Sequence, residues 1–299
     1  MAKRRKKSKA KGIATAVVVL IAVIAGLFFG KDAMFGGLSD NPSAPVSGGE
    51  VQFHFIDVGQ GDAALIRTEK GDILIDAGTN SSEDELKAYL DSLGVTDIEY
   101  AVFTHPHEDH IGGADMVLNT YNVKNVVLPD ATSTSKTFER MMDAIEAEKC
   151  EVIEATPDKT FTVGELTCTI LAPISTSYTE TNNYSVVIRA DYGETSVLFT
   201  GDAETHSEEE MLERYRFKGL LDCDLLKVGH HGSDTSSSQA FLDAVTPVYA
   251  VISCGEGNSY GHPIQAILAR YEAMKAEIYR TDLEGSIVFT STGGEPTKK

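Results

Sequence analysis

The chain has 299 residues, of which 42% are hydrophobic, and a formal net charge of −19 at pH 7. This length allows one large domain or two small ones, with the hydrophobic content of an ordinary globular protein. Residues 1–49 hold eight of the 26 basic and two of the 45 acidic residues, so residues 50–299 carry a net charge of −25. Such an acidic domain excludes the broad Lys/Arg surface that holds long nucleic acids.

A basic block and an apolar run begin the chain. Residues 1–12 are rich in Lys and Arg, and the 18 residues 13–30 carry no charge. Because a helix of roughly 20 apolar residues crosses a bilayer, residues 13–30 are predicted to be a transmembrane anchor. The basic block then predicts a single-pass protein of the cell membrane, with residues 1–12 cytoplasmic and the remainder extracytoplasmic. A cleaved signal peptide is the alternative, although no Ala-x-Ala-like site follows the run.

Residues 31–49 are predicted to be a flexible linker, because residues 36–49 are mostly Gly, Ser and Pro. A chain of this composition reaches roughly 20 Å, so the following domain is expected to work near the membrane surface. The four cysteines include no CxxC pair, which argues against a zinc ribbon. Cys168 and Cys254 lie in or beside apolar, strand-like runs and are expected to be buried thiols, while disulfide pairing is left open.

Hydrophobic periodicity predicts the elements of residues 50–299. Predicted strands are 51–57, 63–67, 72–76, 100–103, 124–128, a hairpin over 161–171, 184–190, 195–200, 224–228, 249–253 and 286–290. Predicted helices are 81–93, 136–148, 237–245 and 263–274. Twice, a run of strands gives way to strands alternating with helices, which favours two mixed sheets with helices outside. His54 occupies a polar position of its strand and is expected to be exposed or at a sheet edge.

The densest cluster of metal-binding residue types is THPHEDH, residues 104–110. Three histidines and two carboxylates this close are unfavourable unless a cation lies among them. His105 and His107 follow a predicted strand and face the same side of it, and Asp109 and His110 enter the next helix. Imidazole and carboxylate together suit zinc, manganese or iron. The spacing can serve two metals, one on each pair.

The pattern HxHxDH resembles the hallmark of the metallo-β-lactamase superfamily. Four further segments resemble, more specifically, the hydrolase-like domain of the ComEC competence family, and this resemblance covers residues 51–290. The segments are HFIDVGQGDA (54–63), LFTGDAE (198–204), LKVGHHGS (226–233) and YGHP (260–263). It implies an α/β fold, the four-layer αββα sandwich, for residues 50–299. Nothing here resembles the many membrane helices of full ComEC proteins, so a stand-alone, membrane-anchored relative is expected.

The resemblance also implies a set of site residues. Asp202 is expected to bridge two metals, one of His230 and His231 to bind metal, with His230 preferred, and His262 to bind metal or protonate the leaving group. Asp76 is expected to orient a metal-binding histidine, although a turn-capping role fits equally well. Metal candidates are His105, His107, Asp109, His110, Asp202, His230 and His262; catalytic candidates are Asp109, His231 and His262; supporting candidates are Asp57, Gln60, Asp76 and Asn183.

The chain departs from the superfamily pattern at one position. Many members carry a further histidine between HxHxDH and the GD aspartate, where this chain has Asn182 and Asn183. An Asn carbonyl is a weak ligand, so the pattern leaves open whether one or two ions, Zn²⁺ or Mn²⁺, bind. His206, in an acidic helical segment, is expected to be exposed.

The implied reaction is hydrolysis by metal-activated water. ComEC-like kinship favours a phosphodiesterase or nuclease acting on short or single-stranded nucleic acid. Lys218 and Lys227 are candidates for a narrow basic track, or else ordinary surface charges. Two alternatives remain open: an extracellular esterase acting on cell-wall phosphorylcholine or another ester, and a non-catalytic module that binds DNA or wall polymer.

Overall fold

The computed structural model describes residues 48–299. The predicted basic segment, the predicted anchor at 13–30 and nearly all of the predicted linker lie outside the described residues, and the predicted domain boundaries stay predictions. Across residues 48–299, no helix combines the length and the apolar character needed to span a bilayer.

One sheet has eight strands, in the order β15-β14-β1-β2-β3-β4-β5-β6. The strands β1 to β3 are antiparallel, whereas β3 to β6 run parallel. Their bounds are β1 Val51–Phe55, β2 Ala64–Thr68, β3 Gly71–Ile75, β4 Asp97–Val102, β5 Asn122–Leu128, β6 Glu151–Glu154, β14 Ile287–Ser291 and β15 Thr297–Lys298.

The other sheet has seven strands, in the order β13-β12-β11-β10-β9-β8-β7. Here β7 to β10 are antiparallel and β10 to β13 parallel. Their bounds are β7 Thr160–Val163, β8 Leu166–Ala172, β9 Val187–Tyr192, β10 Thr195–Phe199, β11 Leu225–Lys227, β12 Tyr249–Ile252 and β13 Glu277–Arg280.

Helices cover the outer face of each sheet. The α-helices are α1 Glu83–Ser92, α2 Glu108–Ile111, α3 Ala114–Thr120, α4 Lys136–Glu148, α5 Thr205–Tyr215, α6 Gln239–Val245, α7 Gln265–Met274 and α8 Thr281–Glu284. Short 3₁₀ turns occupy Asn80–Ser82, Thr181–Tyr184 and Gly229–Gly232. Apolar residues of α1, α3 and α4 pack on the first sheet, and those of α5, α6 and α7 pack on the second. The predicted αββα sandwich is therefore confirmed.

A third apolar cluster joins the inner faces of the two sheets. Phe55 of β1 stacks on Phe199 of β10 with ring centroids 5.7 Å apart, and both side chains are fully buried. This contact fixes the end of β10 against the first sheet. Because β3 and β4 are parallel neighbours, and β10, β11 and β12 likewise, the loops after their carboxyl ends gather at one side of the sandwich.

Several sequence predictions agree closely with this structure. The helix predicted at 136–148 has these bounds, and its N-cap Ser135 accepts a hydrogen bond from Phe138 N. Cys168, Cys223 and Cys254 are buried free thiols, so the burial expected for Cys168 and Cys254 is confirmed. His206 is exposed, as predicted.

The expectation for His54 is wrong. Its side chain is only 3% exposed, because β1 lies between β14 and β2 rather than at an edge and Tyr89 of α1 covers it. His54 Nδ1 lies 2.8 Å from the Tyr89 hydroxyl and Nε2 lies 3.1 Å from Gln52 Oε1. Burial, with Arg67 and Lys299 nearby, lowers the pKa of His54 to about 3.

We expect this buried histidine to make folding pH-dependent. Unfolded His54 binds a proton below about pH 6.5, whereas folded His54 stays neutral down to about pH 3, so its contribution to stability is lost as the pH falls through this window. Urea unfolding of metal-free protein at pH 7, 6 and 5 should show a steeper loss in wild type than in His54→Gln, by up to about 1.4 kcal/mol per pH unit. His206→Gln, which changes an exposed histidine, should follow wild type. Parallel curves for wild type and His54→Gln would contradict the assignment.

Candidate metal centre

Side chains from both sheets converge where the parallel strands end. From the first sheet, Asp76 follows β3, and His105, His107, Asp109 and His110 follow β4. From the second sheet, Asp202 follows β10, His230 and His231 follow β11, and His262 lies in the connection after β12. Neither sheet alone holds the set, so the sandwich assembles it.

Four side chains form a group that we call the primary cluster: Asp109, His110, Asp202 and His231. One donor atom from each lies within 4.8 Å of the others. Asp202 Oδ2 lies 3.2 Å from His110 Nε2 and 3.6 Å from His231 Nε2, while Asp109 Oδ2 lies 3.4 Å from His231 Nε2. Asp202 is thus central to the cluster.

The primary cluster fits a divalent cation. His110 Nε2, His231 Nε2 and Asp202 Oδ1 are buried and have no hydrogen-bond partner in the part of the chain described. Buried polar atoms in proteins are normally satisfied, so three unpartnered ligand atoms within one cluster indicate a missing partner. Two imidazoles and two carboxylates are a ligand set suited to zinc, manganese or iron.

A second pair lies beside the primary cluster. His105 Nε2 lies 3.0 Å from His107 Nδ1 and 4.0 Å from Asp202 Oδ2. His105 is buried, whereas His107 is exposed at the mouth of the site. Asp202 therefore lies between the two groups, where its carboxylate can serve a cation on either side.

Polar groups behind the cluster hold its imidazoles in one orientation. Asp76 accepts hydrogen bonds from Thr104 N and Thr104 Oγ1, both at 2.7 Å, and its Oδ2 lies 2.8 Å from His110 Nδ1. His231 Nδ1 lies 2.9 Å from the Ser253 carbonyl oxygen. A proton on each Nδ1 leaves Nε2 free for a metal, the usual arrangement around histidine ligands. The structure brings together Asp76 and His110, the contact that the resemblance implied.

The primary cluster has the electrostatics of a cation site. Against the effect of burial, Asp202, Asp76 and Asp109 raise the pKa of His110 well above its usual range. Burial likewise opposes charge on His231, yet Asp202 and Asp62 raise its pKa to about 10. Burial disfavours the Asp202 carboxylate, but His110 and His231 hold its pKa well below the usual range. A field that favours two imidazolium ions in a buried space also favours a metal ion.

Sequence reasoning missed a buried ion pair, Asp62 with Lys227. Lys227 Nζ lies 2.6 Å from Asp62 Oδ2 and donates to the Val228 carbonyl oxygen at 2.8 Å. Both residues are buried, at 5% and 3% exposure, and Asp62 Oδ1 lies 3.3 Å from His231 Nδ1. Burial opposes charge on Asp62, but Lys227 and His231 lower its pKa to about 2. The expectation of Lys227 as a surface charge or track residue is therefore wrong, although both residues lie inside the quoted motifs.

Several candidates lie away from the primary cluster. Asp57 is exposed and accepts a hydrogen bond from Gly59 N within its own turn. Gln60 Oε1 accepts from Gly255 N and so ties two loops together. Asn183 Oδ1 accepts from Glu204 N and Ser207 N, which places it at the start of α5. These contacts hold turns and loops together, and the supporting roles at the metal pocket suggested for the three residues stay predictions.

His230 and His262 occupy the rim. His230 Nε2 lies 3.7 Å from Asp202 Oδ2, but its Nδ1 lies 2.9 Å from Thr235 Oγ1 and 3.5 Å from Glu204 Oε1. The preference for His230 over His231 as ligand stays a prediction, while the geometry favours His231. The His262 ring lies 5.7 Å from that of His230, and its Nδ1 is buried without a partner among the described residues.

Comparison with known protein families shows the superfamily to which the chain belongs. The model of the Metallo-beta-lactamase superfamily matches residues 56–256, which contain every ligand of the primary cluster. The chain belongs to the metallo-beta-lactamase superfamily. Its fold and its Asp/His site are those of a metal-dependent hydrolase of this superfamily, with a cluster that could bind one or two metal ions.

The chain is also similar to longer bacterial proteins, one of which is named a competence protein. The chain is 29% identical over 263 residues to ComE operon protein 3 of Bacillus subtilis, covering 82% of this chain and 34% of that protein. It is 32% identical over 234 residues to competence protein ComA of Neisseria gonorrhoeae, covering 78% and 31%. The chain therefore spans about a third of the length of these relatives.

Solved structures show the same superfamily fold. YhfI from Bacillus subtilis, a metallo-beta-lactamase fold protein, has a TM-score of 0.55 at 14% identity, covering 81% of this chain and 99% of that one. CmlA from Streptomyces venezuelae, a diiron beta-hydroxylase, also has a TM-score of 0.55 at 14% identity, covering 84% and 55%. At these identities the similarity establishes the fold.

We expect Lys227→Met to destabilise this superfamily member strongly, because it leaves the Asp62 carboxylate buried without its cation. Breaking a buried pair in this way costs about 3–5 kcal/mol. The double variant Lys227→Met/Asp62→Asn should recover much of the loss, since no uncompensated charge remains. Urea unfolding of the metal-free proteins measures both effects.

The matched control is Lys87→Met, because Lys87 Nζ also lies 2.6 Å from its partner, Asp91 Oδ2, but both side chains are exposed. A surface pair at this distance should matter much less. Equal losses for Lys87→Met and Lys227→Met would show that burial of the Asp62 pair is not the cause.

Proposed function

We propose that this protein is a membrane-tethered, metal-dependent phosphodiesterase that cleaves short or single-stranded nucleic acid. The observation that carries the proposal is the primary cluster, with its orphaned imidazole and carboxylate atoms at the junction of the two sheets. A nucleic-acid substrate is supported by the names of competence protein ComA and of recombination protein 2 of Haemophilus influenzae, which is 30% identical to the chain.

Asp109, His110, Asp202 and His231 would hold one cation, and His105 and His107, with Asp202, would hold a second. A divalent cation supplies Lewis acidity, lowers the pKa of water and offsets charge on phosphate oxygens. Asp76 and Ser253 keep the His110 and His231 rings oriented, so that the ligand atoms need little rearrangement.

His262 lies at the rim of the site, and its buried Nδ1 atom has no hydrogen-bond partner among the described residues. Burial, together with His230 and His231, lowers its pKa, so the neutral ring prevails near pH 7. A neutral imidazole accepts a hydrogen bond or binds a metal more readily than it donates a proton. A neutral His262 is suited to binding a metal or accepting a hydrogen bond from water or substrate, and the proton-donor role that the sequence suggested stays a prediction.

Charge around the site limits the substrate. The loops that carry it contain nine Asp or Glu and no Lys or Arg; they are residues 56–63, 76–80, 103–111, 181–185, 200–204, 228–238 and 253–264. Tight binding of a long duplex draws on many Lys/Arg contacts to phosphates. The site therefore takes one phosphodiester at a time, from a short or single-stranded chain, without tight duplex binding.

We expect the full-length protein to bind one or two zinc or manganese ions, and Asp202→Ala to lose them. Metal content by mass spectrometry after dialysis should fall in Asp202→Ala and in Asp109→Ala/His110→Ala, with the circular dichroism spectrum unchanged. Hydrolysis of a single-stranded oligonucleotide should fall at least about 100-fold in Asp202→Ala, since even outer-shell changes cost 10–100-fold.

His206→Ala is the control, because His206 is an exposed histidine outside the cluster, and its metal content should match wild type. Stoichiometric metal in Asp109→Ala/His110→Ala would remove the metal assignment. If the oligonucleotide stays intact with zinc and with manganese while a phosphorylcholine ester is hydrolysed, the nuclease proposal fails. The alternative, an esterase acting on cell-wall polymer, then takes its place.

Residues 13–30 anchor the chain in the cell membrane, with the hydrolase domain extracytoplasmic, as the basic block at 1–12 predicts. Protease added to intact cells should therefore remove residues 50–299 from an antibody-detected, full-length band. A cytoplasmic protein probed in the same cells should stay intact until lysis. Cutting of the domain only after lysis would reverse the orientation.

A further inference from the structure

An exposed aromatic ring stands at the rim of the candidate site. Tyr260 is 66% exposed, and its ring stacks on that of His262 with centroids 5.7 Å apart and an interplanar angle of 23°. Of the large hydrophobic side chains exposed within residues 48–299, Phe217 is the other aromatic, at 93%. Phe217 follows α5, whose first residue is near the site, so about 16 Å of helix separates the two regions.

Contacts between rings and carboxylate connect Tyr260 to the primary cluster. His262 touches Tyr260 on one side, and its ring centroid lies 5.7 Å from that of His230. His230 Nε2 in turn lies 3.7 Å from Asp202 Oδ2. Tyr260 is therefore two ring contacts from the residue beside the central carboxylate, a place that a group attached to a bound phosphodiester can reach.

Hydrogen bonds hold the loop that carries this ring. The Asn258 side chain accepts from His262 N at 3.0 Å and donates to the carbonyl oxygens of His262, at 2.6 Å, and Gly255, at 3.0 Å. Gly255 N donates to Gln60 Oε1 at 3.2 Å, which ties the loop to the first sheet's side of the site. The exposed face of Tyr260 is thus presented from a braced loop, and ordering it for binding costs little conformational entropy.

Charge decides which contacts remain for a nucleic acid. The loops around the site contain no Lys or Arg. Lys227 and Arg140 contact these loops from neighbouring elements, but each is paired with a carboxylate, Asp62 or Asp115, so phosphates beyond the one at the cluster find no unpaired cation among these residues. Proteins that bind single strands combine basic grooves with aromatic rings on which bases stack. With basic residues missing from these loops, stacking is the contact that this rim offers.

We propose that Tyr260 is a stacking surface for the nucleobase next to the scissile phosphodiester. This inference rests on the proposed phosphodiesterase function and adds to it a residue that selects substrates carrying a base. The ring stacked on His262 offers one flat face, which suits a base, whereas a quaternary ammonium group is typically held by several aromatic rings in a cage.

Kinetics of the full-length, metal-loaded protein test the proposal first. Tyr260→Leu should raise KM for a single-stranded oligonucleotide roughly 5–150-fold, the range that loss of one stacked base produces, with kcat within about twofold of wild type. Tyr260→Phe, which keeps the ring, should retain the wild-type KM. An oligonucleotide with an abasic site beside the scissile bond should be cleaved with the same KM by wild type and Tyr260→Leu. Because binding relies on stacking, KM should change little with salt.

Fluorescence gives a second readout that does not depend on turnover. The chain contains no Trp, so Tyr260→Trp introduces a single Trp at the rim, whose emission can be excited selectively over that of the tyrosines. A single-stranded, hydrolysis-resistant phosphorothioate oligonucleotide should quench its emission, and the abasic version should quench it much less. Val248→Trp is the control, because Val248 is exposed and precedes β12, at the end of the strand opposite the loop that carries Tyr260, and its emission should not change.

The results of these experiments distinguish failure of the stacking role from failure of the phosphodiesterase function on which it rests. If wild type hydrolyses no oligonucleotide, the phosphodiesterase proposal fails. If wild type cleaves the oligonucleotide and Tyr260→Leu has an unchanged KM, or an equally raised KM for the abasic substrate, the stacking role is overturned while the hydrolase stands. Quenching of Tyr260→Trp by phosphorylcholine and not by the oligonucleotide would also overturn it and would point to a cationic ligand.

Discussion

The structure depends on balancing four carboxylates that are wholly or largely buried where the two sheets meet. Asp62 is paired with Lys227 at 2.6 Å, and Asp76 accepts two hydrogen bonds from Thr104 and contacts His110. Asp109 and Asp202 contact His231 and His110, whose Nε2 atoms have no other partner in the described part of the chain. Two of the four are thus balanced by the protein itself, and the other two face inward at a place where a cation is favoured.

The sandwich fold determines where these carboxylates and histidines lie. Asp76 and the THPHEDH segment end neighbouring parallel strands of one sheet, while Asp202 and His231 end neighbouring parallel strands of the other. The stacked Phe55 and Phe199 rings join the inner faces close to these ends. Packing between the sheets therefore sets the distances between the metal-binding atoms. A substitution in that core would change these distances without altering any metal-binding residue.

The charge around the site and the exposed ring of Tyr260 limit the class of proposed substrate more than the fold does. The superfamily fold serves different chemistries, and the chain spans about a third of the competence proteins that it resembles. The acidic loops disfavour a long polyanion, whereas a cation between carboxylates can hold one phosphodiester. The exposed ring of Tyr260 adds a neutral contact to a site that lacks basic ones. These features agree with the proposed substrate, a phosphodiester with one flanking base.

The sequence by itself predicted most of the strands and helices, though not β6, β13 and β15. It also predicted the αββα arrangement implied by the resemblance and the residue types at the strand ends, because strand periodicity and HxHxDH are local patterns. It did not reveal that His54 is buried, since alternation along a strand says nothing of whether that strand is central or what helix covers it. Nor did it reveal the pair of Asp62 with Lys227, or the approach of His231 rather than His230 to Asp109 and Asp202. Those contacts join segments distant in the chain, and the packing of one sheet against the other brings them within a few ångströms, a distance that only the tertiary structure decides.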